Sequence, residues 1–503
     1  MSIRNISFSL LLVLLLAACG SGVPTEYNKS QQLPAIYPDY CGVTIPQNIA
    51  PLNFLCDGDA AKPMVARFTT SNQQIVCSGN KIEIDADDWR TLVADAIGKA
   101  IKVEVFIKTD GQWTLYKPFN IYVSADSIDP YISYRLISPS YVSYEELTIS
   151  QRCLENFSES VIYDNMLCST ELSGQCINCH SYQQYNPQRM QFHARQNMGG
   201  TIIAYDGNIR KIGMKNDSIL SAGVYPTWHP WLKLIVYSTN LTSQTFHSVD
   251  PNKIEVFDTR SDLIAYDVEK NEVTNIENDP TELECFPFWA PDGKTLYYCS
   301  AHFEYQDTID NGQELIARWE EVKYNLYKKS FNPETLEFGP RELVFAADST
   351  VNSQSATFPR ISPDGRYLMF TLAKAGVFHI WHHDADLWML DLQTGEARNM
   401  EEINSQDTES YHSWSSNGRW VVFSSRRYDG NYTRPFIAHI DKDGHGSKPF
   451  ELPCSDPDYH RQFLKCYNIP EFMRGPVTIR PQQFADALKQ EAQPVKYVGR
   501  LKK

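Results

Sequence analysis

One pattern of hydrophobic and polar positions occurs four times in the C-terminal half of the chain. Each copy begins with an aromatic residue, passes through a turn and continues as a hydrophobic strand that ends in small polar residues. The copies are YPTWHPWLKLIVYSTN, FPFWAPDGKTLYYCSA, FPRISPDGRYLMFTLA and YHSWSSNGRWVVFSSR. A further strand pair follows each copy, so the repeating unit is a set of hairpins.

The spacing of these copies indicates a repeat architecture. The anchors Pro226, Pro287, Pro359 and His412 lie 61, 72 and 53 residues apart. A four-stranded propeller blade takes about 40–45 residues, and loop insertions account for the excess. The chain is therefore predicted to be mainly β, with a propeller of five or six blades over residues 201–470 and a C-terminal tail over residues 471–503.

Residues 36–128 are predicted to form a small β-rich, sandwich-like domain. Two strands flank Thr109 to Gln112, where Asp-Gly is a strong hairpin signal. The segment DADDWRTLVADAIGKA predicts a short amphipathic helix with acidic residues in its first turn.

Residues 129–200 are predicted to form a helical segment between the two β regions. Ser143 precedes Glu146 by three residues, which is the capping-box pattern of a helix start. A polar loop then leads to SGQCINCHSY, which carries Cys176, Cys179 and His180.

The N-terminus predicts export and a lipid anchor. A short apolar run ends in LAAC, which resembles the lipobox of bacterial lipoproteins. That resemblance implies a signal peptide over residues 1–18, lipid on Cys19 and a flexible tether over residues 19–35. The alternative is an ordinary signal peptide cut nearby. We expect the protein to lie in the cell envelope, anchored in the outer membrane and facing the periplasm.

Charge and cysteine content narrow the function classes. The formal net charge of -15 disfavours nucleic-acid binding. Twelve cysteines in an exported protein predict disulfides, although sequence does not settle their connectivity. Plausible bridges are Cys153/Cys168, Cys285/Cys299 and Cys454/Cys466. No Gly-x-Ser-x-Gly elbow is present, so a propeller-capped serine hydrolase is excluded.

The Cys176-x-x-Cys179-His180 motif predicts one covalently attached haem c. Two thioethers would form from the cysteines, and His180 would be the proximal iron ligand. Met190 or His193 is the candidate sixth ligand, a choice that the residues leave open. A zinc site and a disulfide framework are the alternatives; zinc needs four ligands, and the chain has no second Cys-x-x-Cys.

The repeats resemble the TolB-like propeller, and the lipobox, QCINCHSY and SSRRYDGNYTRPFIAHID together are similar to exported bacterial TolB-like lipoproteins with a c-type cytochrome motif. The resemblance implies a membrane-anchored monohaem cytochrome that passes single electrons to an unidentified redox or envelope partner. The alternative is a propeller module that binds protein or glycan, in which the haem, zinc or disulfide insert is structural. Peroxidase-like chemistry at an open iron site is a third hypothesis.

Overall fold

The computed structural model describes residues 22–58, 62–139, 146–168, 176–250, 252–306 and 310–500. The predicted signal peptide, Cys19 and Ser143 lie outside these residues. Among the helices within them, none is long and apolar enough to cross a membrane.

Residues 28–123 form a small β domain with one helix. Its elements are β1 (Asn28–Lys29), β2 (Ile36–Tyr37), β3 (Thr44–Ile45), β4 (Phe54–Cys56), β5 (Met64–Thr69), β6 (Gln74–Gly79), β7 (Lys81–Ile82), α1 (Ala86–Asp95), β8 (Ala100–Thr109), β9 (Gln112–Leu115) and β10 (Phe119–Val123). One sheet has the strand order β1-β9-β8-β10-β3, and β5 and β6 are added to it at β8. A second sheet consists of β2, β4 and β7.

Both elements predicted for this domain are present. The predicted hairpin is confirmed by the pairing of Thr109 with Gln112. The predicted helix is confirmed as α1, where the Asp85 side chain accepts the backbone N–H groups of Asp87 and Asp88.

The remainder is a propeller of six four-stranded blades. Strands β11 (Tyr131–Ile137), β12 (Thr148–Cys153) and β13 (Glu159–Asp164) belong to blade 1, and β14 (Ile177–Gln183), β15 (Asn186–Ala194), β16 (Gly200–Tyr205) and β17 (Asn208–Gly213) form blade 2. Blade 3 is β18 (Gly223–Trp228), β19 (Leu234–Phe246), β20 (Ile254–Asp267) and β21 (Glu272–Glu277), and blade 4 is β22 (Glu282–Trp289), β23 (Thr295–His302), β24 (Asn325–Asn332) and β25 (Glu337–Phe345). Blade 5 is β26 (Ser355–Ile361), β27 (Tyr367–Ala373), β28 (Asp386–Asp391) and β29 (Ala397–Asn399), and blade 6 is β30 (Glu409–Trp414), β31 (Trp420–Ser425), β32 (Arg434–His439) and β33 (Phe450–Glu451).

The C-terminal part of the chain closes the ring. Strand β34 (Cys466–Met473) pairs with β11 and supplies the innermost strand of blade 1. The inner strands then contact one another in the order β34, β14, β18, β22, β26 and β30, and β30 returns to β34. A mainly β propeller is thus confirmed, and the blade number is six.

The helices outside the first domain are short. They are α2 (Asn311–Ala317), α3 (Tyr459–Gln462) and α4 (Pro481–Leu488). Single 3-10 turns span Asn165–Leu167, Gln196–Met198, Trp319–Glu321 and His379–Trp381.

The predicted helical segment over residues 129–200 is wrong. Its described residues form β11 to β15, so the propeller begins at Tyr131 and not at residue 201. The sequence around Glu146 leads into β12, whose residues are almost all buried, rather than into an amphipathic helix. Strands packed on both faces lack the polar alternation that identifies a half-exposed strand, so this region gives a weak strand signal.

The predicted C-terminal tail is also part of the fold. Beyond β34, helix α4 packs on β13, β16 and β17. Strands β35 (Gln493–Pro494) and β36 (Lys496–Arg500) then add in parallel to the outer strands β17 and β21 of blades 2 and 3.

The eleven cysteines in the described part of the chain are unbridged, in contrast to the predicted disulfides. Cys168 Sγ lies 3.6 Å from the Ala485 carbonyl oxygen, and Cys466 Sγ lies 3.6 Å from the Asn431 carbonyl oxygen. Cys285 and Cys299 do face each other across β22 and β23, but as thiols.

Candidate functional site: the mouth of the propeller channel

The inner strand of every blade carries the same backbone irregularity. One non-glycine residue in each has a positive φ, between 48° and 54°, and the register of the strand pairing shifts there. These residues, each followed by proline or histidine, are Cys179, Tyr225, Phe286, Phe358, Tyr411 and Ile469. The six positions are therefore equivalent around the channel.

This equivalence gives Cys179 and His180 a place in the propeller repeat. CHSY in blade 2 corresponds to YHSW in blade 6 and to YPTW, FPFW, FPRI and IPEF in the other blades. A left-handed residue in a strand forms a bulge and leaves the next residue out of the ladder, where proline is tolerated because no N–H is needed. Blades 1 and 2 are thus the two copies of the repeat that the sequence analysis did not detect.

His180 is a buried, neutral side chain of the channel wall. It is 1 % exposed, and among the described residues neither ring nitrogen makes a hydrogen bond. Burial, reinforced by the positive charge of Arg135, lowers the pKa of His180 to about 3, and the nearby Ile469 backbone opposes this only partly. The equivalent His412 is also buried, and its pKa is lowered to about 3 for the same principal reason.

The three residues of the motif do not line one common cavity. Cys176 and Cys179 line a cavity of about 440 Å³ at the mouth of the channel. Cys179 and His180 line a second, much smaller cavity of about 30 Å³, which Cys176 does not reach. A space of that size holds one or two water molecules.

The two candidate sixth ligands lie elsewhere. Met190 is fully buried in the apolar core that Tyr163, Phe192 and Phe484 help to form. His193 lines a neighbouring cavity of about 390 Å³, with Nδ1 3.2 Å from the Thr201 hydroxyl, and burial lowers its pKa to about 3. Neither residue lines the cavity that His180 faces.

These residues do not fit a c-type haem as they are placed. The tether requires both cysteines and the histidine to face one cavity that accommodates the macrocycle, a space of several hundred Å³. Here the large cavity lacks His180, and the cavity that His180 shares with Cys179 has only about 30 Å³. A zinc site is not supported either, because the described residues contain no group of three His, Cys, Asp or Glu side chains placed to hold a metal.

The mouth cavity itself is polar and basic. Arg135 from β11 and Arg195, which follows β15, both line it, together with neutral polar residues and Tyr225 and Tyr411. Arg195 donates to the Asn178 side-chain oxygen through Nε (3.1 Å) and Nη2 (3.2 Å) in the amide orientation that satisfies both groups. The adjoining cavity shares Arg195 and adds Lys215. Among the described residues that line the two spaces, none is Asp or Glu.

A long hairpin extends over this mouth. The ends of β19 and β20, here called the mouth hairpin (residues 241–260), contribute Thr242, Ser243, Gln244, Ile254 and Val256 to the cavity wall. The hairpin reaches across the ring: Glu255 Oε2 lies 2.7 Å from His382 Nε2 of blade 5, and both side chains are at most 1 % exposed. Burial alone would lower the pKa of His382, but the Glu255 carboxylate raises it above the ordinary value.

Other buried histidine and arginine side chains of the propeller serve the structure. His379 is buried beside Thr357, with Nδ1 2.9 Å from the hydroxyl oxygen. Arg426 stacks on Trp381 and donates from Nε to the Ile380 carbonyl oxygen, which braces blade 6 against blade 5. Sequence reasoning missed Arg135 and Arg195 because nothing in their local pattern marks them; only ring closure brings them together.

The comparisons with known proteins agree with a β-propeller and go no further. No family model matches this chain, and no curated protein matches it. Among solved structures, it is similar to a luciferin-regenerating enzyme (11% identity, 62% of this chain and 85% of that one, TM-score 0.36). It is also similar to the β-propeller domain of the Trilobed protease from Pyrococcus furiosus (13% identity, 70% and 81%, TM-score 0.33). A third is a prolyl endopeptidase (13% identity, 65% and 42%, TM-score 0.35). The six blades define the class of protein, and the comparisons name no family for it.

Proposed function

We propose that this chain is a binding protein whose propeller holds a small, carboxylate-bearing ligand at the channel mouth. The observation that carries the proposal is that Arg135 and Arg195 both line a cavity of about 440 Å³ whose described lining includes no acidic side chain. In a chain with a formal net charge of -15, a cationic cavity stands out from the rest of the molecule.

The chemistry of the cavity favours a carboxylate. Guanidinium groups bind carboxylates through paired hydrogen bonds, and these are stronger than neutral ones. Asn178 fixes the Arg195 guanidinium without neutralising its charge. The cavity volume is typical of small-molecule sites, and the adjoining space with Lys215 extends it towards blade 3.

The carboxylate could belong to an acidic peptide or to an acidic sugar, and calorimetry distinguishes the two. A short peptide ending in glutamate and a uronic acid oligosaccharide would each be titrated into the reduced, full-length mature chain. The amidated peptide and the neutral oligosaccharide serve as controls. We expect one acidic compound to bind and its neutral counterpart to bind at least about tenfold more weakly.

Variants tie that binding to the cavity. Arg195→Gln is expected to weaken it by about ten- to a hundredfold, which corresponds to a lost charge-assisted pair. Arg90→Gln, which removes an exposed arginine on α1, is the matched control and should bind as wild type. Absence of binding by both acidic compounds, or equal binding by the Arg195 variant and wild type, would refute the proposal.

We also propose that lipid on Cys19 holds this binding module at an envelope membrane. The support is the LAAC sequence, which precedes the described residues. We propose no electron-transfer role, because no cavity among the described residues is lined by Cys176, Cys179 and His180 together.

A further inference from the structure

A buried cysteine, histidine and glutamate lie in line where blade 6 meets the N-terminal domain. Cys454 Sγ is 3.5 Å from His460 Nε2, and His460 Nδ1 is 2.6 Å from Glu451 Oε1. The three residues are 7, 3 and 1 % exposed. A nucleophile, a base and an acid that orients the base occur here in the order that activates cysteine nucleophiles.

A second cation faces the sulfur. Arg152 of β12 places Nη1 3.5 Å from Cys454 Sγ and also donates to the Pro453 carbonyl oxygen. Phenols also surround the sulfur and the imidazole: the Tyr467 hydroxyl lies 3.2 Å from His460 Nε2, and Tyr40, Tyr134 and Tyr459 lie near Cys454. The carboxylate of Glu159 acts on Tyr134 and Tyr459.

The charges favour an ion pair between the thiolate and the imidazolium. Burial opposes ionisation of Cys454, but His460 and Arg152 together lower its pKa below the ordinary value. Despite burial, Cys454 and Glu451 raise the pKa of His460 to about 9. The two cations therefore favour the thiolate, which is the nucleophilic form of the sulfur, and a proton donor lies beside it.

We propose that Cys454, with His460 and Glu451, forms a site that small peroxides oxidise. The thiolate attacks one oxygen of hydrogen peroxide, an S–O bond forms and the O–O bond breaks. The departing hydroxide takes the imidazolium proton of His460 and leaves as water. Sulfur loses two electrons and becomes a sulfenic acid, and the peroxide is reduced.

The surroundings favour a small oxidant over a larger substrate. A sulfur in a residue that is 7 % exposed admits a molecule the size of peroxide but not an extended peptide. The N-terminal domain also contacts the site, because Asn53 Nδ2 donates a hydrogen bond to the Ser455 carbonyl oxygen at 2.9 Å.

Trapping with dimedone tests the proposal on the full mature chain. The reduced protein would receive hydrogen peroxide at pH 7 with dimedone present, and peptide mass spectrometry would quantify the adduct at each cysteine. Cys466 is the internal control, since it is 2 % exposed and its sulfur contacts the Asn431 carbonyl oxygen and the Thr433 N–H. An ordinary thiol is about 3% ionised at pH 7, so Cys454 should react at least about tenfold faster than Cys466. Equal rates, or adduct at Cys466 alone, would overturn the proposal.

A second measurement does not depend on access or on a variant of the histidine. The ultraviolet thiolate absorbance of wild type minus that of Cys454→Ser, followed from pH 4 to 10, reports the ionisation of this one sulfur. A thiolate band already present at pH 7 supports the site, and a band that rises only above pH 8 overturns it.

A histidine variant tests the role of His460 in the same trapping assay. His460→Gln should slow dimedone trapping at Cys454 about tenfold. His439→Gln, at another contact with the N-terminal domain, should leave the trapping rate unchanged.

Discussion

Replacing His180 with proline separates the two interpretations of the Cys-x-x-Cys-His motif. If His180 is an iron ligand, its loss removes the haem. If it is the second residue of a propeller strand bulge, proline should fit, because four equivalent positions already hold proline: Pro226, Pro287, Pro359 and Pro470. We expect His180→Pro to fold.

The expected change in the free energy of unfolding follows from the surroundings of the His180 imidazole. His180 is 1 % exposed, and neither ring nitrogen has a hydrogen-bond partner among the residues that the structure describes. A buried, unpaired nitrogen costs about 1–3 kcal/mol. Removing the ring relieves that cost and loses packing worth a similar amount, about 2–3 kcal/mol. The free energy of unfolding should therefore stay within about 2 kcal/mol of wild type.

Asn178→Pro is the matched control one strand position before the bulge. Arg195 N–H donates to the Cys176 carbonyl oxygen, so by alternation along an antiparallel pair Asn178 and His193 exchange the next hydrogen bonds. Proline at Asn178 removes one of them and leaves a buried carbonyl group unpaired, which costs about 2–4 kcal/mol. Asn178→Ala isolates the loss of the side chain.

The assay is urea unfolding of the three variants, with absorption spectra of protein made in a host that matures c-type cytochromes. We expect no haem absorbance in wild type and a His180→Pro midpoint much nearer to wild type than that of Asn178→Pro. A Soret band that His180→Pro abolishes would refute the reasoning, as would a His180→Pro chain that does not fold while Asn178→Pro does.

Three further predictions concern closure, pH and the anchor. A chain that ends at Lys465 should not fold stably, because it lacks the inner strand of blade 1, whereas one that ends at Arg500 should unfold as wild type in circular dichroism melts. His412 has a pKa of about 3 in the folded chain and an ordinary pKa of about 6.5 in the unfolded chain. Below pH 6.5 the unfolded chain therefore binds the proton first, and this group lowers the free energy of unfolding by about 1.4 kcal/mol per pH unit. The urea midpoints of His412→Phe at pH 7 and pH 5 should differ less than those of wild type. Cys19→Ala should move the protein from the detergent to the aqueous phase in Triton X-114 partitioning, and unchanged partitioning would contradict the lipid anchor.

Elements that depend on neighbouring residues could be predicted from the sequence. The Asp110-Gly111 turn needs two residues with positive φ, and Asp-Gly supplies them, so the β8–β9 hairpin was predicted correctly. The four detected repeats likewise combine strand residues with turns such as Pro-Asp-Gly. The turn between β14 and β15 instead uses Gln184 and Tyr185 with positive φ, and neither residue type is a turn signal. That hairpin, and with it blade 2, was therefore missed.

The sequence by itself determined a mainly β chain with a repeating hairpin unit, because alternation and turn chemistry are carried by residues close together. Only the tertiary structure showed where the Cys176–His180 motif lies in the propeller. Its spacing matches a haem tether, but ring closure places Cys179 at one of six equivalent bulges, and no cavity in the described part of the chain is lined by Cys176, Cys179 and His180 together. The same closure brings together Arg135 and Arg195, 60 residues apart, and Arg152 and Cys454, 302 residues apart. Contacts across such separations depend on how whole blades assemble, and no local pattern encodes them.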